Sequence, residues 1–268
     1  MTFLTAALLG IVQGVTEFLP VSSTAHLLLA GRLLGHDDPG GVFTVMIQLG
    51  SILAIAWLYR TKMFEVVTSL GSRPDARHFA TAIVVATIPA LLAGAALSGV
   101  VKRVLYASPM VFAVAFIAGG SVMLIAERVR PAPTVLDAER TPLGRALGIG
   151  VCQALALIPG VSRSGATIVS GMMLGLDRPA AAEFSFFLAM PVMTAAFAHD
   201  LVEARHQLSS GRALEIGVGL VFAFLSSLLI IKPFLGFVRR AGFAPFAWYR
   251  IALGLVLFAA MAAGWMPQ

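Results

Sequence analysis

The strongest constraint on this chain is a polar break inside apolar sequence, and the chain carries it twice. Residues 153–167 read Gln-Ala-Leu-Ala-Leu-Ile-Pro-Gly-Val-Ser-Arg-Ser-Gly-Ala-Thr, flanked by apolar runs at 146–158 and 168–176. The break gathers Arg163, the hydroxyls of Ser162, Ser164 and Thr167, and the backbone breakers Pro159, Gly160 and Gly165. Proline disfavours helix for its predecessor and glycine tolerates positive φ, so a helix from the Gln153 side ends there. Ser162 is placed to cap a second helix running toward Gly171. That half-helix points its free N–H groups and positive dipole end at the surroundings of Arg163, which makes an anion site. An arginine at membrane depth costs several kcal/mol unless it faces protein or water, so Arg163 is expected to be functional.

The second stretch of this design lies near the N-terminus, where Gln13 and Glu17 precede Pro20, and Val21, Ser22, Ser23, Thr24 and His26 follow. Aligning Val21-Ser22 with Val161-Ser162 gives a shift of 140 residues, and with one residue of slippage Phe43–Ile47 falls on Phe184–Leu188. Two interrupted apolar segments in corresponding halves point to a binding site in a membrane protein. The first copy carries Glu17 and His26, the second Arg163: an acid/base half and an anion clamp.

Composition makes the membrane reading firm. Charged residues are 12% and hydrophobic ones 59%, whereas a soluble domain has about 25% charged. The net charge of +6 would suggest nucleic acid in a soluble protein. Here the basic residues sit in short loops between apolar runs, so no nucleic-acid partner is expected and anionic headgroups explain them. The single cysteine, Cys152, excludes an internal disulfide or cysteine metal site and reads as a packed small residue. No cleavable leader is expected at the N-terminus.

The expected fold is an all-α polytopic membrane domain over 1–268. Six spans are expected at 42–59, 79–101, 110–126, 180–197, 216–231 and 246–265, with re-entrant helical hairpins at 1–34 and 146–176, whose apolar pieces are too short to span. Residues 1–126 and 141–266 form inverted repeats joined by the polar linker 127–145. Thirteen of the nineteen Lys and Arg fall in loops 60–78, 128–145, 177–179 and 232–250, which places that side in the cytoplasm and both termini outside. The hairpins then enter from opposite faces, as inversion requires.

Gln13 and Glu17 share a helix face, as do Arg163 and Thr167, and Ser22 and His26 if the half-helix starts near Ser22. Each has a plain alternative: Glu17 as a structural partner of a distant arginine, His26 as a core residue, the hydroxyls as packing groups. Their crowding at a helix break favours chemistry. Glu183 can sit at the interface or pair with Arg163 or Arg178. His199, Asp200 and His206 read as solvated surface, and His36, Asp37 and Asp38 have no third ligand for a cation. Pro89, Pro191 and Pro233 read as kinks; Trp57, Tyr59, Trp248 and Tyr249 as an interfacial belt. Arginine, dipole, hydroxyls and a base together suit phosphoryl transfer. With no Gly-rich loop carrying a lysine, the substrate should be a lipid rather than a nucleotide.

Gln13-Gly-Val-Thr-Glu17, continued by Phe18 to His26, and Pro159-Gly-Val-Ser-Arg-Ser-Gly-Ala-Thr167 are long motifs at a fixed separation. Over essentially its whole length, including 43–51, 183–187 and 231–249, the chain resembles the bacitracin-resistance type of undecaprenyl-pyrophosphate phosphatase. The resemblance implies hydrolysis of undecaprenyl pyrophosphate at the outer side of the bacterial inner membrane, with a divalent cation (Mg²⁺ or Ca²⁺), recycling the carrier for peptidoglycan. By motif position it implies catalytic roles for Glu17, Ser23, His26 and Arg163. Gln13, Ser22, Thr24, Gly160, Ser162, Ser164 and Thr167 are then expected to bind substrate, and Glu17 the metal. Gln13 stands where many members have Glu. The expected mechanism has Ser23, or a water in its place, attack the terminal phosphorus, with His26 as general acid/base. Membrane lipid is the expected surrounding partner; a homodimer is admitted but no residue specifies it. The rival class is a polyprenyl-phosphate flippase or secondary transporter using the same anion site, for which the base beside the arginine has no use; a scaffold explains none of the buried polar residues.

Overall fold

A computed structural model describes residues 2–36, 38, 41–101, 105, 108–204 and 210–264. The expected turn at Lys102-Arg103, Asp37, Arg205, His206 and Trp265 lie outside them. Eleven α-helices occur among the described residues: α1 Phe3–Thr16, α2 Ser23–Leu33, α3 Val42–Leu58, α4 Arg60–Ser69, α5 Pro74–Val100, α6 Pro109–Val129, α7 Leu143–Gln153, α8 Arg163–Met173, α9 Arg178–Ala204, α10 Ser210–Ala241 and α11 Ala244–Ala262. Five helices are long and apolar enough to cross a membrane, or six if α3 and α4, bent by 69° at their junction, count as one span. Pro89, Pro191 and Pro233 lie inside α5, α9 and α10.

Helices α1, α2, α7 and α8 are 14, 11, 11 and 11 residues long, so at 1.5 Å per residue none exceeds ~21 Å. They pack in two pairs, α1 with α2 and α7 with α8. Helix α1 packs on α2, where Ala6 and Leu9 share an apolar cluster with Leu27 and Ala30. Helix α7 packs on α8, with Gly148 at the middle of α7 against Leu174 just past the end of α8.

Several helix contacts recur between the two halves of the chain. Taking α1, α2, α3, α5 and α6 as counterparts of α7, α8, α9, α10 and α11, the contact of α1 with α10 exchanges with that of α7 with α5, while α3 packs on α9 and α6 on α11. Glycines set the closest approaches. A Cβ on Gly10 of α1 would lie 2.3 Å from the Gly219 carbonyl of α10, and one on Gly150 of α7 would lie 2.2 Å from the Ala86 carbonyl of α5. These two glycines are 140 residues apart.

The segment 127–145 is more than a linker. Ala138 and Thr141 are fully buried, and Val135 forms an isolated parallel bridge with Leu176. It ties together the loops assigned above to one side: Lys62 pairs with Glu139 (2.6 Å) and Glu183 (3.3 Å), and Arg178 with Glu127 (2.6 Å). Glu127 also accepts from the Phe243 N–H at 2.7 Å. Glu183 therefore pairs with Lys62, not with Arg163 or Arg178. One basic residue leaves this end: Arg250, counted above in the 232–250 loop, is 2% exposed inside α11. Its guanidinium donates to the carbonyls of Pro20 (3.2 Å), Ala115 (3.0 Å) and Gly160 (3.0 Å).

Candidate active site

The two helix breaks meet. At the first, Glu17 prolongs α1 by donating its N–H to the Gln13 carbonyl at 2.9 Å, and the chain turns through Pro20 to Ser22. Ser22 adopts φ 70°, ψ 91° and makes no side-chain cap, a conformation that costs a non-glycine residue of order 1–3 kcal/mol. It starts α2 at Ser23. At the second, α7 passes through a 3₁₀ turn, Ala154–Leu157, and Gly160 takes φ 87°. Ser162 then caps α8, its Oγ accepting the Gly165 N–H at 3.0 Å, as expected.

Glu17 is the centre of the cluster. Its Oε2 accepts from Ser23 Oγ and Gln13 Nε2, each at 2.7 Å, and its Oε1 from Arg163 Nη2 at 2.8 Å. Both members of the ion pair are shielded, with side chains 6% and 13% exposed. Arg163 also donates to the Ser185 carbonyl (3.2 Å) and contacts Met193 Sδ (3.0 Å), so α9 sets its direction. A hydroxyl donating to a carboxylate that two further groups hold in place is the arrangement of a nucleophile and its base.

This cluster floors a cavity of about 570 Å³. Glu17, Ser22, Ser23, Thr24, Ser162 and Arg163 supply its polar lining, with Gln48 and Gln153. Ala90 and Gly94 of α5, Leu157, and Val192 and Ala196 of α9 supply an apolar wall. His199 and Asp200 line it at the end of α9 remote from Arg178, so it lies toward the end of the bundle opposite the ion pairs.

Ser164 and Thr167 bond to the frame instead. Ser164 Oγ donates to the Leu19 carbonyl at 2.9 Å, tying one break to the other. Thr167 bonds Ser185 Oγ at 2.6 Å. Gly160 and Gln13 do not line the cavity. His26 is not brought to it. Its Nδ1 lies 2.8 Å from the Ser22 carbonyl and its Nε2 2.7 Å from the Tyr249 hydroxyl, with the two rings stacked at 5.6 Å. A carbonyl only accepts, so Nδ1 carries the proton, and in the neutral ring Nε2 accepts from Tyr249. Tyr249 is thus a partner of the break as well as an aromatic of α11.

Sequence reasoning passed over Gln153 and Arg250. The repeat, which sets Gln153 opposite Gln13, was the signal for the first; a lone arginine just inside an apolar run was the signal for the second.

Comparison with known proteins agrees with this geometry. The profile of the family described as Bacitracin resistance protein BacA matches residues 6–256. This chain belongs to that family. An undecaprenyl-diphosphatase of Cereibacter sphaeroides is 46% identical over 263 residues, covering 98% of each chain. An undecaprenyl-diphosphatase of Paracoccus denitrificans is 46% identical over 97% of each. Undecaprenyl-diphosphatase 2 of Paramagnetospirillum magneticum is 49% identical over 95% of this chain and 97% of its own.

As a BacA-family chain it offers a hard cation few ligands. Among the described residues no three His, Cys, Asp or Glu side chains cluster. Mg²⁺ needs only one or two carboxylates when substrate phosphates complete its shell. Glu17 supplies one. Since a carboxylate cannot donate, Gln13 Nε2 must face Glu17, which leaves Gln13 Oε1 buried without a partner. Gln13 is fully buried and does not line the cavity, so Glu17 is the residue at its floor that would hold such a cation.

Proposed function

We propose that this protein hydrolyses undecaprenyl pyrophosphate to undecaprenyl phosphate and inorganic phosphate, returning the lipid carrier to peptidoglycan synthesis and conferring bacitracin resistance. The observation that carries this reading is the 2.7 Å contact of Ser23 Oγ with a carboxylate clamped by Arg163, at the floor of a cavity with one polar and one apolar wall. The polar floor suits a diphosphate, and the small residues of α5 and α9 leave room for a prenyl chain. The names of the relatives state the same activity.

In our reading Ser23 Oγ attacks the terminal phosphorus while Glu17 takes its proton; undecaprenyl phosphate leaves, and water then releases phosphate from Ser23. Arg163 and the N–H groups at the start of α8 neutralise charge on the phosphate oxygens. His26 holds the carbonyl of strained Ser22 and so positions Ser23. A bound Mg²⁺ or Ca²⁺ at Glu17 would neutralise charge on the phosphates.

We place the chain in the bacterial inner membrane as six spans, with α3–α4 as one, and two re-entrant hairpins in inverted repeats 1–126 and 141–266. The short paired helices and the exchange of helix pairings support this. The basic loops gathered at the end away from the cavity support an active site on the outer side.

The test is phosphate release from undecaprenyl pyrophosphate by detergent-purified protein, with Mg²⁺ or Ca²⁺ and with chelator. Release should need the cation and fall at least ~100-fold in Arg163→Ala, the scale for losing a transition-state donor. Acid-quenched protein should carry ³²P from the terminal phosphate, and Ser23→Ala should not. Release without any trapped label would replace Ser23 by water; no release at all would defeat the reading.

A further inference from the structure

Gln153 is 2% exposed and lines the cavity, yet neither its Oε1 nor its Nε2 has a hydrogen-bond partner. A buried amide with both ends unpaired costs stability, and its presence needs an explanation. The repeat shows why it is unpaired. Gln13 spends its Nε2 on Glu17, four residues on along the same helix face. The residue four beyond Gln153 is Leu157, which offers no acceptor. The amide is also held at a fixed depth. One turn earlier, Gly150 seats α7 against the Ala86 backbone so closely that no side chain fits between them.

The charge of the site points the same way. Glu17 and Arg163 cancel each other across their ion pair, and Arg163 already has three partners. A diphosphate entering this floor needs donors beyond Arg163. We infer that Gln153 is a direct substrate contact whose Nε2 donates to non-bridging oxygens of the diphosphate, leaving Oε1 to water that enters with it. The inference rests on the phosphatase reading above and assigns the second hairpin a diphosphate ligand that the first hairpin cannot supply, because its glutamine is committed to the base.

Gln153→Met keeps the length and flexibility of the side chain and removes both polar ends. Without ligand its melting temperature in detergent should equal or exceed that of the wild type, because no protein contact is lost. Its KM for undecaprenyl pyrophosphate should rise about ten- to a hundredfold, the worth of a hydrogen bond to a charged group. The rise in melting temperature that inorganic pyrophosphate gives the wild type should vanish. An unchanged KM, or a pyrophosphate shift that survives, overturns the inference. So does a large fall in melting temperature with kinetics intact, which would show a structural amide. If Gln153→Met does not fold, Gln153→Glu decides: as a carboxylate it cannot donate, and wild-type KM above neutral pH would overturn the assignment. Wild-type protein that releases no phosphate but shows a Gln153-dependent pyrophosphate shift would defeat the phosphatase reading and leave the anion contact standing.

Discussion

At the scale of single residues, Ser22 joins strain to function. Among the described residues it is the one non-glycine with a positive φ, and its two neighbours on the C-terminal side, Ser23 and Thr24, both face the cavity. The geometry places Ser22 outside the helical register, so the i, i+4 rule does not put its side chain on the face of His26. His26 meets the Ser22 carbonyl and the Tyr249 hydroxyl, not the Ser22 side chain. Ser22→Gly should hold or raise the melting temperature, since glycine adopts this conformation freely. Ser22→Val should lower stability by ~2 kcal/mol or more, a β-branched side chain being a genuine outlier there. Thermal unfolding in detergent checks both; a Gly variant less stable than the Val variant would show that φ is not the issue.

At the scale of elements, glycines decide how near the short hairpins come to the long helices. Gly150 has carbonyl contact with α5 at 2.2 Å from its virtual Cβ, whereas Gly144 on the same helix α7 has nothing within 4 Å. Gly150→Ala should therefore overpack the α5–α7 crossing, costing ~1–3 kcal/mol, and displace Gln153 with loss of phosphate release. Gly144→Ala should be neutral or gain up to ~1 kcal/mol from helix propensity. Paired unfolding and activity measurements on the two variants check this. Equal effects would mean that α7 tolerates displacement and that its glycines carry no positional information.

At the scale of the whole molecule, Arg250 joins both halves. Its guanidinium takes a carbonyl from each helix break, Pro20 and Gly160, and one from α6, and it lies 5.7 Å from the Phe116 ring. Gly119 and Gly120 of α6 leave the room it occupies. One planar fork serves three acceptors in a way that a lysine ammonium, a point charge on a flexible stem, does not. Arg250→Lys should thus lower both melting temperature and turnover, although the charge is kept. A Lys variant with wild-type turnover would show that charge alone holds the breaks together.

What the sequence determined by itself is what local rules control. Pro20, Pro159 and Gly160 break helices through their own backbone limits, and Ser162 caps α8 because caps act within three residues. Apolar runs marked the long helices to within a few residues at most ends. The motifs carried the family. What only the tertiary structure decided is which groups share a space. Arg163 reaches Glu17 across 146 residues and His26 reaches Tyr249 across 223. The linker docks on Leu176, Lys62 claims Glu183, and Arg250 leaves the basic surface for the core. A helix face shows which residues point together, but the rotation and depth of each helix come from packing against distant partners, so the meeting of Glu17, Ser23 and Arg163 is a property of the assembled bundle.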